Sequence, residues 1–269
     1  MWENANTQAL IFMIDIHSHI LWGFDDGPAN LEESLEIAVL YEKTGFTKVV
    51  ATPHWVYGTA WQPDAEAVQH AVGLLNHALI KKGIQVQVLP GMEISLDAEI
   101  PALLQQKGLL TLAGSSYILI EAPFLWMPQG WEQVINILKA KGYRPIIAHP
   151  ERCRQMGNTT SIFDMLIDAG VCFQVDYGAF LGHYGRHAKA TALYLAQKGY
   201  CHCLATDSHD LTQRSPIDTE RALKVVEAIV GGKKANVMSK INPERIVKNK
   251  PLEMPGATEN KKRKKWVFF

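Results

Sequence analysis

Nothing in the 269-residue chain is apolar for long enough to cross a bilayer. Residues 1–12, MWENANTQALIF, carry neither a basic n-region nor an apolar h-region, so no secretory signal is expected there. Cysteine is scarce, with four residues at 153, 172, 201 and 203. Cys201 and Cys203 flank one residue and would face the same side of a strand, a poor disulfide geometry. Reduced thiols in a cytoplasmic protein are therefore expected. Net charge is absent too: 27 basic residues balance 27 acidic ones, which argues against nucleic acid as the main partner. The chain has no GxxxxGK[ST], no GxGxxG after a strand and no GxSxG. A cysteine-phosphatase loop needs Arg six residues after its Cys. Those four positions hold Thr159, Gly178, Asp207 and His209, so thiol chemistry of that kind is excluded.

What is present is alternation. Apolar segments at 11–17, 47–53, 84–92, 116–121, 143–149, 171–176 and 201–207 read as buried strands. Between them, 31–44, 64–82, 98–107, 130–141, 160–169, 184–198 and 216–231 repeat apolar residues at three- and four-residue spacing, as helices do. Asn30-Leu31-Glu32-Glu33 has the form of a capping box, and Gly45, Gly83, Gly142 and Gly170 supply helix stops. Seven strand-then-helix units with no compositional break predict a single distorted (β/α)7 barrel, with a doubly wound open sheet as the alternative. The barrel is expected over 13–250, after an N-terminal extension at 1–12. From about residue 248 the Pro, Gly, Asn and Lys content predicts a mobile tail, placed at 251–269 and carrying the basic and aromatic run KKRKKWVFF.

The strand ends carry the chemistry, because in such a barrel they converge on one face. The first ends in His17-Ser18-His19, and alternation along a strand lets both imidazoles reach one ion. Asp25 and Asp26 follow in the next loop. Later strands end in Ala-Thr-Pro-His54, Gly-Met-Glu93, Leu-Ile-Glu121, Ala-His149-Pro-Glu-Arg152 and Ala-Thr-Asp207-Ser-His209. Any one such residue is more often hydrogen-bonded or solvated than metal-binding. Together, five histidines and at least four carboxylates exceed the needs of one four- or five-coordinate ion. Carboxylates buried side by side repel unless cations neutralise them. Two or three ions bridged by carboxylate fit better, and a set without thiolate suits Mn, Fe or Zn. His70, His77, His183, His187 and His202 are assigned structural places, with His183 the one that could approach a substrate. Asp15 is given a structural role. Arg152 and Arg214 lie close in sequence to the rim, where guanidinium forks match phosphate oxygens.

The ordered set DIHSHILWGFDDGP, ATPH, GMEI, IEAP, AHPER and TDSH resembles the PHP (polymerase and histidinol phosphatase) superfamily. More narrowly it resembles the bacterial capsule and exopolysaccharide tyrosine phosphatases, over roughly residues 13–250. The resemblance implies a (β/α)7-type barrel with a trinuclear centre, most often manganese. One ion would take His17, His19, Glu93 and Asp207, a second Glu93, Glu121 and His149, and a third Asp26, His54 and His209. Arg152 and Arg214 would hold phosphate. The implied substrate is the phosphotyrosine tail of an autophosphorylating bacterial tyrosine kinase that regulates polysaccharide export. Small phosphate monoesters (histidinol phosphate or a nucleotide) and a non-catalytic kinase-binding role are the alternatives. Two departures, Trp22 where the family often has proline and Trp55 where it often has a second histidine, are expected on the pocket wall. The basic tail is a candidate for peripheral contact with anionic lipid at the inner membrane face.

Overall fold

The computed structural model describes residues 12–106 and 108–256, so the 257–269 run and nearly all of the N-terminal extension lie outside the described residues. Every expected β-segment forms parallel strand, and two of them are each split in two. Strand β1 is Met13–Ser18. The second segment divides into β2 (Phe46–Ala51) and β3 (His54–Trp55) across Thr52-Pro53, where proline has no N–H to continue the ladder. The third divides into β4 (Gln87–Pro90) and β5 (Glu93–Ser95) across Gly91-Met92. A Cβ at Gly91 would come within 2.8 Å of Val50 Cγ1, so only glycine lets these strands approach there. Strands β6 (Tyr117–Glu121), β7 (Arg144–Ala148), β8 (Cys172–Asp176) and β9 (Cys203–Ala205) complete the set.

The order is β1-β2-β4 in one sheet and β3-β5-β6-β7-β8-β9 in the other. Neighbours follow chain order throughout, with no reversal, which rules out the doubly wound alternative. Beyond β9 the chain returns to β1. His19 N–H donates to Ser208 O (2.8 Å) and Asp207 N–H to His17 O (3.1 Å), around a parallel bridge between Ser18 and Ser208. The two ends of the strand array therefore meet at the rim, as a distorted (β/α)7-type fold requires.

The major helices α1 (Leu31–Lys43), α2 (Ala65–Lys82), α3 (Ile100–Gln106) and α4 (Trp131–Ala140) fall where the periodicity places them. Asn30 caps α1 by accepting from Glu33 N–H at 3.0 Å. Short α5 (Arg154–Asn158) precedes α6 (Ser161–Asp168), and short α7 (Tyr177–Leu181) precedes α8 (Gly185–Lys198). α9 is Thr219–Val230. Two elements that periodicity did not show, α10 (Gly232–Asn236) and α11 (Asn242–Val247), follow on either side of one π-helical stretch. The first residues of the expected tail are tied down: Tyr117 Oη–H donates to Lys250 O (2.8 Å) and Asn242 Nδ2–H to Glu253 O (2.8 Å). None of the described helices is long and apolar enough to cross a membrane.

Alternation sorts the strand residues into two cores. Outward residues such as Val49, Ile118, Ile120, Ile147, Phe173, Val175 and Leu204 pack under the helices. Inward residues Ile16, Val50, Leu119, Ile146, Ala148, Cys203 and Ala205 fill the interior with Tyr117 and Ile246. On two strands the inward row runs from apolar at the N-terminal end to polar at the C-terminal end: Tyr117, Leu119, Glu121 on β6, and Cys203, Ala205, then Asp207 beyond β9. Cys201 packs in the outer core and Cys203 in the inner one, so they do not share a side; all four thiols are free.

Candidate metal centre

A bulge in β1 starts the site. Asp15 pairs with Val49 and Ser18 with Ala51, so β1 spends three residues against two. The extra residue reverses the alternation, and Ile16 and His17 both face inward. Asp15 is left on the other side. Its carboxylate accepts from Tyr41 Oη–H (2.7 Å), Thr206 Oγ1–H (2.5 Å) and His17 N–H (3.2 Å), which makes it a clamp between β1, α1 and the end of β9.

Three imidazoles are oriented from behind. His17 donates Nδ1–H to Gln174 Oε1 (2.8 Å), His19 donates Nδ1–H to Asp25 Oδ2 (2.6 Å), and His209 donates Nδ1–H to Asp207 O (2.8 Å). With Nδ1 so occupied, each ring turns Nε2 into the site, the nitrogen left to a metal. His17 Nε2 lies 3.3 Å from Glu93 Oε2, 3.2 Å from Asp207 Oδ1 and 3.2 Å from His19 Nε2. His19 Nε2 lies 3.3 Å from the same two carboxylate oxygens. His17 Nε2, His19 Nε2 and Glu93 Oε2 thus stand 3.2–3.3 Å from one another, close enough to share one ion.

Glu93 faces two ways. Its Oε2 meets His17, His19 and also His54 Nδ1 (3.0 Å), and its Oε1 meets His149 Nε2 (2.9 Å). Glu121 lies beyond, 3.8 Å from His149 and 3.9 Å from His54. Asp26 Oδ1 lies 3.2 Å from His209 Nε2 and 3.6 Å from His54 Nε2. All nine sequence-nominated donors are therefore brought into one cluster. His54 sits between two groupings, turning Nδ1 to Glu93 and Nε2 to Asp26.

The chemistry of this cluster asks for cations. Glu93 Oε2, Asp207 Oδ1, His54 Nδ1 and His209 Nε2 are buried without a hydrogen-bond partner. Burial, and then the Glu93 charge, pushes the Glu121 carboxyl up to about 7. Burial works against a charge on His17, but Glu93 and Asp207 outweigh it and raise the ring to about 10. His149 goes the other way: burial, then Arg152, lowers it to about 4, so the ring stays neutral. Dry carboxylates packed against imidazoles are what divalent ions neutralise. His149 (φ 29°) and Asp207 (φ 50°) both hold left-handed backbone, strain that the surrounding fold must support.

Both arginines reach the rim. Arg152 Nη1 lies 2.7 Å from Asp207 Oδ2 and 3.6 Å from Asp176 Oδ2, with its guanidinium between the Phe124 and Tyr184 rings, 4.6 Å from each centroid. Arg214 Nη2 donates to Asp26 Oδ2 at 2.9 Å. They line a cleft of about 210 Å³ over the histidines and carboxylates, with Trp61 and Phe124 as its aromatic walls.

The sequence profile of capsular polysaccharide synthesis proteins, CpsB/CapC, matches residues 13–248. The chain belongs to the CpsB/CapC family. It is 36% identical to the tyrosine-protein phosphatase YwqE of Bacillus subtilis over 257 residues, covering 96% of this chain and 100% of that one. It is 30% identical to the tyrosine-protein phosphatase CpsB of Streptococcus pneumoniae, covering 87% and 98%. A solved structure from work on YwqE of B. subtilis and CpsB of S. pneumoniae, described as metal-dependent tyrosine phosphatases, superposes with a TM-score of 0.86. It has 35% identity and covers 92% of this chain and 100% of that one. An organophosphorus hydrolase variant from Deinococcus radiodurans, 14% identical with a TM-score of 0.57 over 89% and 94% of the chains, shares the fold.

Against the CpsB/CapC resemblance, several local expectations change. Trp55 is 1% exposed and part of the outer core, and Trp22 packs against that core. Neither lines the cleft; Trp61, stacked on His54 at 5.0 Å between centroids, does. His183 pairs with Asp218 (3.4 Å) away from the cleft. His202 is buried and accepts from Phe173 N–H at 2.9 Å, a structural place as expected, while His70 and His77 are exposed on α2. β8 supplies none of the donors expected from the sequence, yet it sends Gln174 behind His17 and Asp176 towards Arg152. The signal was available: Cys172, Gln174 and Asp176 alternate on one face, and Asp176 ends the strand as the other nominated residues end theirs. Asp25 had been nominated beside Asp26, and its contact is with the far nitrogen of His19.

Proposed function

We propose that this chain is a metal-dependent protein-tyrosine phosphatase acting on the phosphotyrosine tail of an autophosphorylating bacterial tyrosine kinase in capsule or exopolysaccharide synthesis. The observation that carries the reading is Glu93, whose two carboxylate oxygens face different histidines beneath a cleft flanked by Arg152 and Arg214. The family membership and the names of the similar proteins support it. We assign His17, His19, Glu93 and Asp207 to one cation, Glu93, Glu121 and His149 to a second, and Asp26, His54 and His209 to a third, with manganese as the ion. Divalent cations of this kind act as Lewis acids on a phosphoryl oxygen and make water acidic enough to supply hydroxide near neutral pH.

The chain's own residues do the rest. Asp25, Gln174 and the Asp207 carbonyl hold the three rings in the tautomer that binds metal. Arg152, fixed by Asp207 and by two aromatic faces, and Arg214, fixed by Asp26, take the non-bridging phosphate oxygens as charge develops on them. Trp61 and Phe124 flank the aryl group and narrow the access of water. A phenolate leaves with a pKa near ~10, so its protonation matters less than for an alkyl alcohol. A cytoplasmic protein is the reading that suits this substrate. The KKRKKWVFF run is assigned a peripheral contact with anionic lipid.

The test is direct. Purified protein with measured metal content is offered a phosphotyrosine peptide, histidinol phosphate and a nucleotide monophosphate. Preference for the peptide, lost in Glu93→Ala, supports the assignment. Preference for either metabolite makes it a small-phosphate esterase, and no turnover of any substrate by metal-loaded protein removes the catalytic reading.

A further inference from the structure

A second, larger cavity of about 590 Å³ lies beside the cleft. Phe124 and Arg152 line both, so the guanidinium held between Phe124 and Tyr184 is the partition between them. The outer cavity's other walls include Arg154 and Asn158 from α5 and His187 from α8. Its shape is built in. A Cβ on Gly157 would stand 2.4 Å from His187 Nε2 and 2.7 Å from Thr191 Oγ1, so α5 and α8 approach closely only because that residue is glycine.

The loop over the cavity is pinned as well. Arg154 N–H donates to Phe124 O (2.7 Å), Gln155 N–H to Leu125 O (3.1 Å), and Met127 N–H to Gln155 Oε1 (2.7 Å). Three hydrogen bonds thus fix the 124–127 segment on α5, and a cavity already formed costs little ordering when it is filled. On that segment Leu125 and Trp126 are 54% and 63% exposed, an apolar rim with no cover among the described residues. Glu151, the one carboxylate on the wall, is fully buried. Arg154 is exposed and enters none of the ion pairs found among the described residues. The cavity therefore presents a free guanidinium to whatever lies in it.

We propose that this outer cavity is the subsite for the substrate's polypeptide beside the phosphotyrosine, with Arg154 taking the carboxylate of an acidic residue. The proposal rests on the phosphotyrosine reading of the cleft. A cleft of about 210 Å³ suits one phosphorylated side chain, so the main chain must run over the rim. The wall it crosses is one side chain deep, the Arg152 guanidinium with the Phe124 and Tyr184 rings 4.6 Å away, and at ~3.3 Å per extended residue a crossing of roughly 10 Å takes about three residues. The acidic residue is accordingly about three positions from the phosphotyrosine, on one side of it. Leu125 and Trp126 would cover the apolar side of the same segment.

Metal-loaded parent, Arg154→Gln and Asn158→Trp are each assayed on p-nitrophenyl phosphate and on three phosphotyrosine peptides. These carry Glu three residues before the phosphotyrosine, Glu three residues after it, or Gln at both positions. Arg154→Gln should raise KM about two- to fivefold, the range for a partly exposed charge pair, on one of the two Glu peptides only. Asn158→Trp, which fills the cavity, should raise KM for all three peptides. Both variants should hydrolyse p-nitrophenyl phosphate as the parent does, which also shows that they fold. If both handle every peptide like the parent, or if Arg154→Gln affects the Gln peptide as much as the Glu peptides, the subsite is refuted. A parent that hydrolyses p-nitrophenyl phosphate but no phosphotyrosine peptide refutes the function itself, a result visible without any variant.

Discussion

Asp25 offers the sharpest check on how the site is built, because it touches the centre only through another residue. Its Oδ2 accepts Nδ1–H of His19 at 2.6 Å and the backbone N–H of His54 at 2.9 Å, while Oδ1 accepts from Gly27 N–H at 2.9 Å. Burial would raise this carboxyl, but His19 outweighs burial and keeps it below the usual range, so the group is an anion at neutral pH. Asp25→Ala removes the acceptor that fixes the His19 ring and loosens the loop that delivers both Asp26 and His54. Loss of such a partner weakens metal binding by about 10–100-fold. That is about 1.4–2.7 kcal/mol. Asp25→Asn keeps an oxygen to accept from Nδ1–H but loses the charge, and should fall between parent and alanine. Competition with a chromophoric chelator gives the affinity, elemental analysis of saturated protein the stoichiometry, and circular dichroism the fold. The expected result is weaker binding with an unchanged number of ions. A folded Asp25→Ala protein with parental affinity would refute the orienting role. One fewer ion at saturation would show instead that Asp25 is itself a ligand.

Four further outcomes follow from the same geometry. Chelation should abolish phosphotyrosine hydrolysis and Mn²⁺ restore it; full activity in protein shown metal-free by elemental analysis contradicts the assignment. Glu93→Ala should lose turnover while His70→Ala, on the exposed face of α2, keeps it; equal losses in two folded proteins would mean the donors are wrongly sorted. Arg152→Lys and Arg214→Lys keep charge but lose the planar fork. Each should cut kcat/KM by roughly tenfold or more at unchanged metal content, with the stacked Arg152 the worse affected, and parental rates in both remove them from phosphate binding. Burial lowers His202 from 6.5 to about 4, a difference of about 3 kcal/mol. The unfolded chain gains the proton first as pH falls, so this stabilisation is full above pH 6.5 and is lost towards pH 4. The urea midpoint should therefore fall less between pH 7.5 and 5 in His202→Gln than in the parent, and parallel falls would show that His202 does not contribute.

Much of this protein follows from local rules. The strand segments and the seven main helices are set by two periodicities, and the helix ends by caps such as Asn30 and stops such as Gly83. The donors were readable for the same reason: parallel strands in a barrel all end on one face, so a His or carboxylate at each strand's end must converge. What the tertiary structure alone decided is how those groups are aimed. The β1 bulge that turns His17 inward depends on pairing with β2, and it carries no mark in the composition of the strand. The contacts that choose each imidazole's free nitrogen cross long stretches of chain, Gln174 to His17 being 157 residues apart. Trp55 and Trp61 show the same limit. One residue of register sends Trp55 into the core beside a rim histidine, while a loop folds Trp61 back onto His54. The short helices α5, α7, α10 and α11 escaped because five or six residues hold too little periodicity to be seen. They are held by packing, and one of them, α5, supplies the wall on which the outer cavity depends.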